Sequence, residues 1–246
     1  LMTPPTAWVY SILAVVKTVE EGKEKWNLAG RLDVLARTPK TYSVTLVPLA
    51  TGHTIDKTDV RDELNNIWNQ YGISWEVDVD NEFYVDVQGD DGDERKQYVN
   101  EILGGDWTKS DKWLSEYKPV QKAINSTYNT YASSQNTYDN TRMYVFILPP
   151  DKAPYEKQVG DMPLGKQWGY LFVEKFGSDD SHYRTLSHEL GHGKTELEHT
   201  FAGDNPGHRI EKGKTNNLMD YSDRTDLVRF QWEAIHNPAL IGKPFQ

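Results

Sequence analysis

Three of the chain's seven histidines fall within the twelve residues from 188 to 199, and two of them frame the run His188-Glu189-Leu190-Gly191-His192. On an α-helix a four-residue step is close to one turn, so both imidazoles lie on one face, about 6 Å apart along the axis. One ion can then touch both. Zinc accepts neutral imidazole at about 2.0–2.1 Å, and its catalytic sites usually take three protein ligands and leave a position for water. Glu189 is rotated off the ligand line, where its carboxylate can reach that water. Tyr183, Leu186 and Leu190 are spaced three and four apart on the opposite side, which predicts a helix with a core face and a chemical face. Ser178 is a plausible N-cap for it, with Asp179 and Asp180 in the first turn, where the helix dipole favours acid. A bare five-residue match also arises by chance, in which case the two histidines merely decorate a surface.

The residues that follow sharpen the first reading. In a continuing helix His199 would stand about 10 Å beyond His192, out of reach of a shared ion. The helix is therefore expected to stop, and Gly193, directly after His192, can adopt the left-handed conformation that turns the chain back and brings His199 in as third ligand. Asp204, Glu211 and His208 are rival third ligands, with His199 preferred because zinc sites favour imidazole. The turn-rich residues 203–214 are long enough to bring Asn217-Leu218-Met219-Asp220-Tyr221 back beneath a metal site. His53 and His236 have no ligand-like spacing and read as structural or surface residues.

Composition narrows the chemistry further. The chain has no cysteine, which removes thiolate catalysis, disulfide stapling and every cysteine-ligated metal site, and leaves histidine as the natural zinc ligand. Its 246 residues carry 27 Lys plus Arg against 37 Asp plus Glu, a net charge of −10, and no basic patch, so nucleic acid is not an expected partner. The apolar residues 8–16 end at Lys17, short of the roughly 18 that a membrane span needs, and are expected to be a buried element rather than an anchor. No basic segment precedes them, so a signal peptide is also a poor reading. A chain that begins Leu1-Met2 reads as a processed or excised fragment.

Along the chain, residues 1–40 form an N-terminal appendage or pro-segment, and residues 41–246 the main domain, with an upper part 41–193 and a C-terminal subdomain 194–246. Within the main domain, residues 42–48 and 73–79 alternate as strands do, and 143–148 is a continuous apolar run of the kind a strand buried on both faces shows. Helical stripes run through Val60, Leu64, Ile67 and Trp68, and after Pro119 through Val120, Ile124, Tyr128 and Tyr131. Residues 168–174 read as a short strand whose polar neighbours Lys166, Gln167 and Lys175 suit a sheet edge. Residues 78–82 mimic a calcium loop, but Phe83 stands where that loop needs glycine, so a solvated strand face is the better reading; the acidic loop 88–94 has no clearer role. In residues 226–236, Leu227, Phe230, Ala234 and Ile235 line one side of a packing helix stopped by Asn237-Pro238. The order of strands and helices predicts an α/β (α+β) fold.

The run from His188 to His199, with Leu218-Met219-Asp220-Tyr221, resembles the metzincin group of zinc metallopeptidases, especially its bacterial, pappalysin-like branch. The resemblance implies a zincin-like mixed sheet with an active-site helix, Zn2+ held by His188, His192 and His199, Glu189 as general base, and Met219 as the methionine turn under the metal. It also implies an edge strand that pairs with extended peptide, for which residues 168–174 are the candidate. Tyr221 corresponds to a tyrosine that binds zinc or stabilises the transition state in some metzincins, and it could equally be a core aromatic. One departure stands out: the second and third histidines are seven residues apart rather than six, and the glycine comes first rather than third.

The expected activity is hydrolysis of peptide bonds in a peptide or protein substrate, by a zinc-bound water that Glu189 deprotonates, with Tyr221 helping to meet charge on the carbonyl oxygen. The alternatives are a zinc-bearing binding or adhesion module without turnover, and a toxin domain with the same chemistry and narrow specificity. A secreted or cell-surface location follows from the resemblance alone.

Overall fold

The computed structural model describes residues 7–49, 55–84, 99, 101–108, 117–202 and 210–236. The chain divides into two units, Leu1–Lys40 and Thr41–Gln246.

In the first unit, strands β1 (Ala7–Glu20) and β2 (Lys23–Arg37) pair antiparallel around the two-residue turn Glu21-Gly22. Both turn residues have positive φ, 51° and 75°, which suits the right-handed twist of the flanking strands. The register shifts between Ala14 and Val15, a bulge that puts apolar residues on both faces of the ribbon. Ile12, Leu13, Val16, Trp26, Leu28 and Leu32 are 52–63 % exposed, so the expectation that residues 8–16 are buried is corrected for the described side chains. Among the described residues of this unit, the two strands have no second layer of their own.

In the second unit the strands are β3 (Lys40–Pro48), β4 (Ile73–Val79), β5 (Met143–Leu148), β6 (Gly160–Asp161) and β7 (Trp168–Phe172). They form one mixed sheet in the order β4-β3-β5-β7-β6, with β3, β5 and β7 parallel and β6 antiparallel to β7. The helices are α1 (Lys57–Trp68), α2 (Pro119–Ser134), α3 (Ser181–Thr195) and α4 (Arg229–His236). The fold is mixed α/β, as expected. Alternation along β5 shows the layering. Met143, Val145 and Ile147 join a core with residues of α1, α3 and α4, while Tyr144, Phe146 and Leu148 join a second core with Ile124 and Tyr128 of α2. A strand covered on both faces must be apolar throughout, and each such side chain contributes about 1.5–3 kcal/mol of burial.

The edge-strand expectation for residues 168–174 is corrected. β7 ends at Phe172 and is flanked by β5 and β6, so it is interior, and β6 is the outer strand. The polar residues that suggested an edge lie in loops: Gln167, for one, spends its amide on the carbonyls of Asp139 and Arg142. The calcium-like run is committed elsewhere too. Asp80 accepts the amides of Glu82 and Phe83 and the Tyr128 hydroxyl, and Asp78 pairs with Arg142. The loop 88–94 lies outside the described residues.

Helix α3 packs against α1 and the strands β5, β7 and β6. Gly191 leaves room for Met219, whose Sδ would stand 2.8 Å from a Cβ at that position. Tyr71, just after α1, fastens the C-terminal segment: its hydroxyl accepts the Leu227 amide and donates to the Thr225 carbonyl, and its own carbonyl accepts from Trp232 and His236. His236 is thereby structural. Phe230, expected on the packed side of α4, is 42 % exposed, whereas Ile235 is 3 % exposed.

Candidate metal centre

Helix α3 begins at Ser181, later than the Ser178 cap reading; Asp180 is the capping position and Asp179 accepts the Ser181 amide. Leu186 and Leu190 are fully buried on one side, and His188 and His192 lie on the other. The helix does not end at Gly193. It runs to Thr195, and the reversal occurs at Glu196, a non-glycine residue with φ 53° and ψ 29° whose amide caps the Gly191 carbonyl. Gly193 serves space instead: a Cβ there would meet Met162 Sδ at 2.5 Å and the Lys166 carbonyl oxygen at 2.8 Å. Moving the turn to Glu196 accommodates the longer interval to His199.

The three imidazoles converge. The Nε2 atoms of His188 and His199 are 3.1 Å apart, those of His192 and His188 3.1 Å, and those of His192 and His199 3.2 Å. His188 Nδ1 lies 2.7 Å from the Leu218 carbonyl and His192 Nδ1 2.6 Å from the Leu197 carbonyl. A carbonyl can only accept, so both Nδ1 atoms carry the proton and both Nε2 atoms present lone pairs. Burial lowers the pKa of all three rings, helped at His188 and His199 by the neighbouring imidazoles, to about 3 at His188 and about 4 at His199. Neutral, lone-pair-bearing nitrogens this close together are a donor set for a cation. Tetrahedral zinc with bonds of about 2.0–2.1 Å asks for nitrogens about 3.3 Å apart, so the trio fits zinc and leaves a fourth position open.

Glu189 is buried, and burial first, then the charge of Asp161, raises its pKa well above the usual carboxylate range, although the Met162 amide donates to it. It lines the same cleft as the three histidines, a space of about 1110 Å³ also walled by β6, Leu164, Ala202 and Tyr221. Met219 is fully buried under α3. Tyr221 is not a core residue; it is 54 % exposed, stands edge-on to His199 at 5.1 Å, and burial of its hydroxyl raises its pKa. Phe201 stacks flat on His199 at 4.7 Å and meets Tyr221 edge-on at 5.1 Å, so the three rings form one cluster, and the Lys212 ammonium lies 4.1 Å over the Tyr221 ring. Among the rival ligands, Glu211 is exposed and outside the cluster, and Asp204 and His208, like His53, lie outside the described residues.

Sequence reasoning missed Arg184. It lies one turn before His188, and its guanidinium donates to the carbonyls of Leu218, Asp220 and Arg224, tying the turn around Met219 to α3. Asp220 secures the same turn from its side chain. Burial pushes its carboxyl up, but the Gly213, Thr215 and Tyr221 amides and the Thr215 hydroxyl outweigh that and bring it down to about 2. The one available signal for Arg184 was its i−4 position on the ligand face of the helix.

No family model matches the chain, and no curated protein sequence does. Among solved structures it is similar to archaemetzincin from Methanopyrus kandleri, with 12 % identity, a TM-score of 0.42, and coverage of 81 % of this chain and 96 % of that one.

Proposed function

We propose that residues 41–246 are a zinc-dependent endopeptidase. The observation that carries this reading is the convergence of three neutral Nε2 atoms, from His188, His192 and His199, with Glu189 in the same cleft. Zinc at this site supplies a Lewis acid and lowers the pKa of a bound water. Glu189, in the same cleft as the three imidazoles, would take the proton from the attacking water and pass it to the leaving amine. Tyr221, with its phenol kept protonated at the cleft lip, donates toward the carbonyl oxygen as charge develops there. His188 and His192 are held in one tautomer by the Leu218 and Leu197 carbonyls, so their metal-facing atoms need no rearrangement. The outer strand β6 lines the cleft and offers main-chain groups to an extended peptide.

What supports a metzincin of the pappalysin-like kind is the motif from His188 to His199 with Leu218-Met219-Asp220-Tyr221, and the same resemblance is the support for a secreted or cell-surface location. A digest of mixed peptides tests the activity. Glu189→Gln should keep stoichiometric zinc and lose cleavage by at least about a thousandfold, of the order seen when a general base and its electrostatics are removed together. Wild-type turnover in that variant would sink the mechanism. Zinc binding without cleavage of any peptide by the wild type would favour the binding module, and cleavage of one protein only, the narrow-specificity toxin. His188→Ala should abolish zinc binding; a stoichiometric zinc signal surviving it would remove the ligand assignment.

A further inference from the structure

We propose that Gly160 is a positioning residue for Glu189: the missing side chain on β6 is what allows the carboxylate to lie against that strand, under the Met162 amide. The inference rests on the peptidase reading, because it takes Glu189 as the general base.

A Cβ at position 160 would stand 2.8 Å from both Cγ and Cδ of Glu189, and closer still to Oε1. Backbone conformation does not demand glycine there. Gly160 is absent from the glycines with positive φ, and it sits in an ordinary antiparallel pair opposite Leu171. The requirement is space, and the space is filled by one side chain. Two residues on, the Met162 amide donates to the same carboxylate, so the strand both admits Glu189 and orients it.

The strand itself is anchored from the other face. Asp161, next to Gly160 and therefore pointing the opposite way, accepts 2.7 Å from Gln121 Nε2, and Gln121 is fully buried in the first turn of α2, where its Oε1 caps the Lys118 amide. Gln158 Nε2 adds a bond to the Gly160 carbonyl. An added methyl therefore meets a fixed strand on one side and the free end of a flexible side chain on the other, and the side chain is the part that gives way. Restoring ordinary contact moves the carboxylate by about 1 Å, a misplacement that costs up to about a hundredfold in rate.

The test is Gly160→Ala in the full chain, read by zinc affinity in a chelator competition, urea midpoint, kcat, KM, and a crystal structure of the zinc-loaded variant. Expected are zinc affinity and midpoint close to wild type, KM within about threefold, kcat down by about 10- to 100-fold, and a Glu189 carboxylate displaced from the Met162 amide with β6 still paired to β7. Unchanged kcat with an undisplaced carboxylate overturns the proposal. So does a parallel loss of zinc affinity or a collapsed midpoint, which would make Gly160 a residue of general packing. A wild type that binds zinc and cleaves nothing fails the peptidase reading instead, and the carboxylate's position in the variant structure still decides whether Gly160 places it.

Discussion

The carbonyl oxygen of Leu218 accepts hydrogen bonds from His188 Nδ1 and from Arg184 at the same time, 2.7 Å and 3.0 Å away. The ring of the first proposed ligand is therefore aimed by an atom that Arg184 holds in place. Arg184→Ala should weaken zinc binding by about 10- to 100-fold, the usual cost of losing a partner behind a metal ligand. Arg184→Lys should recover only part of this, because an ammonium cannot reproduce a planar fork reaching three carbonyls. An unchanged dissociation constant in a chelator competition would separate Arg184 from the site. The imidazoles make a second prediction, for the metal-free protein. Their folded pKa values, about 3 at His188 and about 4 at His199, lie below the unfolded value of about 6.5, so between those limits the unfolded chain binds more protons. The stability they contribute is fully present above pH 6.5, is lost as pH falls toward 4 and 3, and stops changing below. A urea midpoint that stays flat from pH 7 to pH 4 would contradict this. His188, Glu189 and His192 were legible because helical spacing needs no tertiary information, and His199 because zinc sites favour imidazole over the rival carboxylates. Arg184, Gly160 and Asp161 were not, since their roles depend on carbonyls, a carboxylate and an amide brought near by the sheet.

Among the elements, the turn after α3 shows where local reading fails. Gly193 has the residue type of a helix terminator, yet the helix passes through it, Met162 and the Lys166 carbonyl occupy the space a Cβ would need, and the chain reverses at Glu196. A side chain in the left-handed region costs about 1–2 kcal/mol relative to glycine, partly offset by the greater freedom of glycine in the unfolded chain. Glu196→Gly should therefore raise stability by up to about 1 kcal/mol while keeping zinc, and a lower urea midpoint would show that the Glu196 side chain matters more than its backbone. Strands β4 and β5 matched their expected limits, because alternation in one and an unbroken apolar run in the other report directly how many faces are covered. β7 was found as a strand but given the wrong neighbourhood: two residues of β6, Gly160 and Asp161, are too few to leave a periodic signal, and they are what turn β7 into an interior strand.

At the scale of the whole molecule, every residue of the candidate site lies in the unit Thr41–Gln246, and the unit Leu1–Lys40 contributes apolar side chains to solvent. We propose that the second unit is self-sufficient. A chain lacking residues 1–40 should bind one zinc with wild-type affinity and associate less at high concentration, as an exposed apolar ribbon promotes contacts between molecules. Loss of folding or of zinc would refute that; faster peptide cleavage by the shortened chain would identify residues 1–40 as a pro-segment. The fastening of the C-terminal segment to Tyr71 sets the order of events during synthesis. The four hydrogen bonds at Tyr71 join residues 154 to 165 positions apart, so none can form until Thr225 and Leu227 have been made, and the two to Trp232 and His236 wait for α4. Helix α3, with His188 and His192, emerges before the methionine turn that underlies it. A nascent chain that displays only His188 and His192 therefore lacks both the third imidazole of the cluster and the buried Met219 that packs against Gly191.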